Sequence, residues 1–318
     1  MSKTTRLLHL SKTSTQCSAP PIGSKTATER IRAWTSYKDL RQAAAIILLF
    51  ALAALPAFCQ VAPPVTLGLK LWLRSDAGVT LDGSGHVTRW ADQSGAGHDY
   101  ARQASYIDPF GQYHAFTPPS LAAGGPNAAP VVSFDGAANA LRNGDQIVAG
   151  NNVTIFTVMS VKTPSYPWAL GESYQPNPGA SGYRMTYEGL PQYPDGFDLA
   201  HEWSNDARAT LTGIGDPRFK VISITGSGVM SNMTVFADGV PAVMSLDPGA
   251  QIDAAIQFSP GNTLGFTWGS PVLFSQVEFA EYLIYDRALS ATERAVVENY
   301  LMHRYFIADT PMPASIRR

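Results

Sequence analysis

The sequence predicts an all-β protein: a sandwich of two antiparallel sheets with one helix near the C-terminus packed on it. Three observations predict this fold. Gly (27) and Pro (23) are plentiful in 318 residues, and only 15% of the residues are charged. Short apolar runs, many with alternating polarity, are separated by turn residues, a pattern typical of strands. No βαβ rhythm appears, so a doubly wound parallel sheet is not expected.

The predicted strands follow one another from residue 69 to residue 285. In the first, Leu69, Leu71 and Leu73 alternate with polar or aromatic neighbours. The others are predicted at 86–90, 131–134, 153–161, 183–187, 219–225, 233–237, 242–245, 264–267 and 277–285. Asp238-Gly239 separates two of these runs and predicts a hairpin turn, because both turn positions need a positive φ. About ten strands in one body favour two packed sheets.

One helix is predicted at 290–306. Ser290 and Glu293 have the spacing of a capping box, in which each side chain bonds a backbone N–H of the other residue. Apolar residues then recur at helical spacing on one face, at Val297, Tyr300, Leu301 and Tyr305. We therefore expect this helix to lie against the sandwich.

The N-terminal region differs from the rest in charge and hydropathy. Residues 1–60 hold eight Lys/Arg and two acidic residues, whereas the remainder carries 15 basic and 23 acidic residues. Residues 43–55 are thirteen consecutive apolar residues, short for a membrane span but typical of a signal-peptide core. We expect a basic, disordered leader at 1–42. Residues 43–60 are expected to form a signal peptide cleaved after Cys59 or Gln60, or an uncleaved N-terminal anchor.

This interpretation predicts export to the periplasm or the cell exterior, with the membrane contacted only through residues 43–59. Both cysteines, Cys17 and Cys59, precede the predicted cleavage point. The exported domain would therefore hold no disulfide, and its stability would depend on its hydrophobic core. The acidic body also lacks the basic surface of a nucleic-acid-binding protein.

Four segments together resemble a known family. They are Leu-Trp-Leu-Arg-Ser-Asp-Ala-Gly at 71–78, Trp-Ala-Asp-Gln-Ser-Gly-Ala-Gly-His at 90–98, Val-Ser-Phe-Asp-Gly at 132–136, and Glu-Tyr-Leu-Ile-Tyr-Asp-Arg-Ala-Leu-Ser-Ala-Thr-Glu-Arg at 281–294. In this order they resemble the concanavalin A-like lectin/glucanase superfamily, and more narrowly the laminin-G-like domains of secreted bacterial proteins. The resemblance covers about 65–308, with 309–318 left as a tail.

The resemblance implies a jelly-roll sandwich whose first and last strands lie side by side. It implies no single activity, because the superfamily includes lectins, adhesion modules, glycosidases and lyases. Its motif residues also have structural interpretations: Asp92 and Ser94 are expected to bond backbone N–H groups in a turn. Calcium is common in laminin-G-like folds, so Ca²⁺ is a possible cofactor, without a located site.

Catalytic motifs of this superfamily are mostly missing. A retaining glucanase needs two carboxylates about 5–5.5 Å apart, which the family builds from Glu-x-Asp, and none of the eight glutamates has Asp two positions later. Glu278 and Glu281 are three apart, which predicts opposite faces of a strand. Asp195, Asp198 and Glu202 are expected in a loop. Gln112 and His114 match half of a lyase pattern that lacks its Arg-rich partner strand.

Aromatic residues are dense between positions 164 and 203, where eight occur in forty residues. Aromatic faces stack on sugar rings, and neighbouring carboxylates accept hydroxyl hydrogen bonds. The alternative is that many of these aromatics fill the core of the sandwich, as the alternation in 183–187 suggests. The predicted glycan-binding residues are Tyr166, Trp168, Tyr174, Tyr187, Trp203, Glu188 and Asp198.

We therefore expect an exported, non-catalytic carbohydrate-binding or adhesion module whose partner is a polysaccharide or glycoconjugate. Two alternatives stay open. One is a glycan-active hydrolase or lyase on the same fold, which requires converging acidic side chains. The other is a structural envelope domain that binds another protein, which a broad apolar surface patch would favour.

Overall fold

The computed structural model describes residues 62–107, 111–162, 171–173, 183–190, 193–200, 206–210, 217–246, 255, 261–267 and 273–306. The strands in these ranges are β1 Leu69–Arg74, β2 Val79–Leu81, β3 Val87–Trp90, β4 Tyr100–Arg102, β5 Ser105–Ile107, β6 Tyr113–Ala115, β7 Ser120–Ala122, β8 Val131–Ser133, β9 Leu141–Arg142, β10 Asn152–Val161, β11 Gly171–Ser173, β12 Tyr183–Leu190, β13 Tyr193–Ala200, β14 Asp206–Thr210, β15 Lys220–Ser227, β16 Thr234–Ala237, β17 Val240–Pro241, β18 Val243–Leu246, β19 Asn262–Leu264, β20 Phe266–Thr267, β21 Leu273–Phe274 and β22 Val277–Tyr285. The α-helix is α1 Ala291–Tyr305, and short 3-10 turns occupy Pro126–Ala128 and Met230–Asn232.

Two large antiparallel sheets contain most of these strands. The eight-stranded sheet has the order β17-β16-β15-β10-β22-β8-β7, and β1 also pairs with β22. The ten-stranded sheet has the order β18-β14-β13-β12-β11-β19-β9-β4-β3-β2. Strands β5 and β6 form a separate hairpin, as do β20 and β21. The predicted antiparallel sandwich is confirmed, and its first and last strands are neighbours, as the resemblance implies.

The main core lies between the two large sheets. Leu71, Ile155 and Ile224 enter it from the eight-stranded sheet, and Trp90 and Leu264 from the ten-stranded sheet; all five are at most 1% exposed. Alternation along each strand sends every second side chain into this layer. Burial of this continuous apolar layer is the dominant favourable contribution to folding.

Helix α1 covers the outward face of the eight-stranded sheet. Val297 and Leu301 on the helix pack against Trp72, Phe156 and Val158 in a second buried cluster. This second layer makes both faces of β1, β10 and β22 apolar, so these strands are buried on both sides. The helix start is confirmed as predicted, with Ser290 as N-cap and the capping box formed with Glu293.

Several strand predictions need correction. The run at 264–267 is two strands, because the chain turns at Gly265, whose φ of 87° favours glycine. A β-carbon there would lie 2.1 Å from the Phe134 ring. Asp195 and Asp198 lie in β13 and not in a loop, whereas Glu202 lies outside the described residues. The predicted Asp238-Gly239 turn is confirmed, with φ of 50° and 79°.

The expectation that Glu278 and Glu281 lie on opposite faces is wrong. Val158 on β10 faces Glu281, but the next residue, Met159, faces Phe279. Ala280 is therefore the extra residue of a β-bulge, which shifts the alternation by one position. Glu278 pairs with Ser160, two positions from Val158, so both glutamates lie on the helix side of the sheet.

Candidate functional site

The sequence-predicted site residues fall partly outside the described structure. Tyr166, Trp168, Tyr174 and Trp203 lie outside the described residues. Tyr187 and Glu188 lie in β12, and Asp198 lies in β13. Their placement can therefore be read from the register of these two neighbouring strands.

A row of directly paired positions crosses the outward face of the ten-stranded sheet. We call it the polar row; it comprises Thr80, Arg89, Ala101, Arg142, Thr263, Glu172, Arg184, Ala200 and Asp206. The adjacent pairs Trp90–Tyr100 and Leu141–Leu264 point into the main core. Alternation therefore assigns the polar row to the opposite, outward face.

Two shorter rows continue the same face. One pairs Thr186, Asp198, Arg208 and Ser245, and the other pairs Glu188, Gly196, Thr210 and Val243. Neighbouring strands lie about 4.8 Å apart, so these rows bring arginines and acids from strands distant in sequence within a few strand widths. The register thus places Glu188 and Asp198 on one face, as diagonal neighbours.

The exposure of the described side chains shows that this face is open at both ends. Arg89, Arg142 and Thr210 are exposed, and Val243 is 72% exposed. Thr263 in the middle of the row is buried, and its Oγ1 donates to the carbonyl of Phe266, 3.1 Å away. Arg89 donates to Asp99 and Arg142 also has an interaction within the chain, so both arginines are exposed to solvent while paired.

Tyr187 occupies a different register position. It pairs with Phe197, which pairs with Ala209. Ala209 is 0% exposed and belongs to the main core. By register Tyr187 lies on the core side of its sheet, opposite to Glu188 and Asp198, and its role in stacking on sugars stays a prediction.

The loop after β3 has a structural role, as predicted for Asp92. The Asp92 carboxylate accepts hydrogen bonds from the backbone N–H groups of Trp72, Ser94, Gly97 and His98, at 2.8–3.1 Å. The Ser94 hydroxyl donates to the same carboxylate at 2.7 Å. All the acceptor capacity of Asp92 is used to fix the loop against β1.

A buried acid that the sequence reasoning missed lies beneath α1. Glu281 is 0% exposed. Its Oε1 accepts from Trp72 Nε1 at 2.6 Å and from the Tyr300 hydroxyl at 3.2 Å, and its Oε2 accepts from the Tyr305 hydroxyl at 2.7 Å. Burial raises the pKa of Glu281 above its ordinary value, against the opposing effect of these donors.

Two arginines extend this network to the surface. Arg304 Nε lies 3.2 Å from Glu281 Oε2 without forming a hydrogen bond, so its contribution is charge and not a directed bond. Its other nitrogen donates to Asp76 at 2.6 Å, and Arg74 donates to both oxygens of Asp76 at 2.9 Å. The network is closed to substrate and fixes α1 to the sheet.

The other groups considered for chemistry have ordinary roles. His114 lies on β6, where its ring stacks on Tyr106 at 6.1 Å between centroids. His98 Nδ1 lies 3.0 Å from Asp145 Oδ2. Within the described ranges, no group of three or more His, Cys, Asp or Glu residues could hold a metal ion. In the same ranges no helix is long and apolar enough to cross a membrane.

Comparisons with known proteins show the fold. No protein-family model matches the chain, and no curated protein matches it. Domain 4 of AbnA, an extracellular arabinanase of Geobacillus stearothermophilus solved with arabinotriose, is 15% identical with a TM-score of 0.51. That match covers 72% of this chain and 98% of the domain. The match thus spans almost the whole of that domain.

Two further structures are similar to this chain over only part of their own, longer chains. The receptor-binding domain of botulinum neurotoxin C/D mosaic serotype is 9% identical with a TM-score of 0.50, over 76% of this chain and 53% of that one. Trypanosoma rangeli sialidase in complex with sialic acid is 14% identical with a TM-score of 0.47, over 84% of this chain and 40% of that one. The chain therefore spans about half of the toxin chain and two fifths of the sialidase chain.

Proposed function

We propose that this protein is a non-catalytic carbohydrate-binding module of the laminin-G-like type, within the concanavalin A-like superfamily. The observation that carries the proposal is the polar row with the two rows beside it, on the outward face of the ten-stranded sheet. We propose that a polysaccharide or glycoconjugate lies across this face. The pairing of β1 with β22, which the resemblance implies, supports this assignment.

The residue types on this face suit sugar recognition. Carboxylates such as Glu188 and Asp198 accept hydrogen bonds from pairs of sugar hydroxyls, and arginines donate through a rigid fork. The described positions carry four arginines and four acids across the three rows. This balance favours a ligand with many hydroxyls, because a single charged group would meet attraction and repulsion together.

The aromatic residues predicted from sequence complete the proposal. Tyr174 directly follows β11, and Trp203 follows β13 by three positions. Tyr166 and Trp168 precede β11. These residues therefore flank strands of the same face, and we propose that they supply stacking surfaces for sugar rings. The fold similarity to a domain solved with arabinotriose adds support at the level of architecture.

We further propose that the protein is exported, with residues 43–60 as signal peptide or N-terminal anchor. Fractionation of the expressing cell, followed by N-terminal sequencing, tests this proposal. Export with cleavage gives a chain that begins near Gln60 or Val61. Full-length protein in the cytoplasm would contradict it.

Glycan arrays and polysaccharide pull-down assays test the binding proposal on the full chain. They should be performed with and without Ca²⁺, because calcium is a possible cofactor of this fold. Saturable binding to at least one glycan is expected. Absence of binding in both conditions would contradict the proposal, and capture of an envelope protein by the same face would favour the protein-binding alternative.

A glycan hydrolase is a second candidate, favoured by one observation. Glu188 and Asp198 are diagonal neighbours across β12 and β13, and the Cα atoms of such positions are about 7–8 Å apart, which leaves room for carboxyl groups at a similar separation. Inverting glycosidases hold their two carboxyl groups about 6.5–9.5 Å apart. Reducing-end release from each bound glycan distinguishes the two functions. Turnover that is lost in Glu188→Gln would establish the enzyme, whereas binding without turnover supports the module.

A further inference from the structure

The polar row is open at one end and covered further along. Four consecutive positions of the row are exposed, and we call them the platform: Thr80, Arg89, Ala101 and Arg142. The next position, Thr263, pairs with Arg142 but is 0% exposed. The open part of the row therefore ends between β9 and β19.

A turn of the chain covers Thr263. Its neighbour Leu264 points into the main core, so alternation directs Thr263 outward. The Thr263 hydroxyl donates to the carbonyl of Phe266 at 3.1 Å, which places the chain at Phe266 on the outward side of the sheet. Phe266 is itself 0% exposed, so this turn belongs to the folded body.

A third hydrophobic cluster holds the turn in place. Its buried members are Tyr106, Phe116, Ala140 and Phe266. The rings of Phe116 and Phe266 lie 4.6 Å apart between centroids. Ala140 directly precedes β9, the strand that carries Arg142. The turn is therefore a fixed wall beside the platform, because a ligand that continued along the row would have to break this cluster.

The platform has a small residue between two arginines. Arg89 and Arg142 each pair with Ala101, so the two arginine positions are two strand spacings, about 10 Å, apart. Arg89 Nε donates to Asp99 at 2.9 Å, and Asp99 accepts the Asp92 N–H at 2.8 Å, which orients the guanidinium. A sugar ring suits this arrangement, with its C–H face on the alanine methyl group and its hydroxyl oxygens accepting from the guanidinium groups.

We propose that the platform binds the end of a glycan chain, an inference that rests on the proposed function. The platform spans four strands, or about 14 Å, which is room for a short oligosaccharide. Strand β2 is at the edge of the sheet in the described order, so a bound chain can leave over β2. The wall at Phe266 prevents the chain from continuing beyond β9. Terminal or branch sugars are thus bound in preference to an internal segment of a long polysaccharide.

The dependence of affinity on oligosaccharide length tests this proposal on the full wild-type chain. Oligosaccharides of two to six units from the glucan, xylan, mannan and galactan classes, and from any further class bound on the glycan array, are titrated by calorimetry. In each class that binds, affinity should rise up to about three units, the length that about 14 Å accommodates, and then stay constant. A continued rise to six units would overturn the proposal and leave glycan binding intact, whereas no binding in any class would overturn the proposed function itself.

A second measurement depends on the number of chain ends. Partial hydrolysis of the bound polysaccharide multiplies its ends at constant mass. The power of this material to compete with a labelled oligosaccharide should increase in proportion to the number of ends. Competition that depends on mass alone would show that internal segments bind, and would overturn the proposal.

Ala101→Arg tests the position of the site. The new side chain fills the space between Arg89 and Arg142 and should weaken trisaccharide binding by at least about tenfold, comparable to the loss of one hydrogen bond to a charged group. Ala115→Arg adds the same side chain at an exposed position of β6, outside the row, and should bind as the wild type does. Unchanged affinity in the folded Ala101→Arg variant would overturn the proposal. If this variant does not fold, the two measurements on the wild-type chain decide.

Discussion

The outward faces of the two sheets use their charged residues in opposite ways. On the eight-stranded sheet α1 covers the face, and Glu281 and Glu298 are buried there at 0% and 5% exposure with donors inside the chain. On the ten-stranded sheet Arg89 and Arg142 are exposed. Charges enclosed beneath the helix fix structure, whereas a charge on the open sheet stays in contact with solvent even where it is paired, as Arg89 is with Asp99, and can contact a ligand there. Stability and binding should therefore respond to different substitutions.

The largest effect on stability is expected at Glu281. Glu281→Ala removes the carboxylate to which Trp72, Tyr300 and Tyr305 donate and should lower the free energy of unfolding by about 3–5 kcal/mol. Urea denaturation measures this loss. Glu281→Gln keeps one amide oxygen as an acceptor and should cost less. An effect below about 1 kcal/mol for Glu281→Ala would contradict the role assigned to the network.

Removal of one donor should cost less than removal of the acceptor. Tyr305→Phe deletes the hydroxyl that donates to Glu281 Oε2 and keeps the ring that packs against the sheet. A hydrogen bond to a charged group contributes about 1.5–3 kcal/mol, so a loss of that size is expected in the same denaturation assay. Equal stability of the variant and the wild type would show that the hydrogen bonds from Trp72 and Tyr300 are enough to stabilise the buried Glu281 carboxylate.

The helix start should contribute about 1 kcal/mol. In Ser290→Ala the N–H of Glu293 loses its side-chain acceptor, and such substitutions typically cost about 1 kcal/mol. Ser290→Asp is the matched control, because aspartate is an equally good N-cap. Thermal unfolding should show a lower midpoint for the alanine variant only. A similar decrease in both would point to a contact of the serine other than the cap.

Acid should weaken the same helix start. Hydrogen bonds from Arg287 and Ser290 lower the pKa of Glu293 from 4.5 to about 2. Because this pKa is depressed in the folded state, its stabilising contribution is present above pH 4.5 and is lost as the pH falls towards 2. Urea denaturation at pH 5 and pH 2.5 measures the loss of the free energy of unfolding between the two pH values. This loss should be smaller in Glu293→Gln than in the wild type. If the wild type and Glu293→Gln lost the same free energy of unfolding between these pH values, the acid sensitivity would come from other carboxylates.

The smallest effect on stability is expected on the open face. Arg142→Ala changes an exposed side chain of the ten-stranded sheet and should alter the free energy of unfolding by no more than about 0.5 kcal/mol. Thermal and urea unfolding measure this change, with Glu281→Ala measured in the same assays for comparison. A loss comparable to that of Glu281→Ala would mean that the two faces do not differ in the way described above.

The strands buried on both faces were the easiest to predict from sequence. Strands β10 and β22 are long apolar runs, and the helix start has its capping box in consecutive letters. Strands β13 and β14 were missed, because their Gly, Asp and Arg residues weaken the apolar pattern. They form by pairing with neighbours, which a single sequence does not show.

The candidate site was less predictable for a related reason. Alternation in β12 puts Arg184 and Glu188 on one face, and this could have been read from the sequence. Whether Arg184 and Glu188 lie near Arg142 and Asp198 on that face depends on the register of several neighbouring strands. The burial of Glu281 was hidden by the bulge at Ala280, which reverses the expected alternation. Only the folded chain brings Trp72 and Tyr305 to the same carboxylate.

The affinity of matched arginine variants for a glycan identified on the array tests the central proposal most directly. Arg142 lies in the polar row, whereas Arg102 is exposed on the same sheet but pairs with Leu141, outside the row. Isothermal titration should show at least about tenfold weaker binding for Arg142→Ala, because a charged hydrogen bond is lost. Arg102→Ala should bind as the wild type does. Unchanged affinity in Arg142→Ala and in Asp198→Ala would contradict the assignment of this face to the glycan.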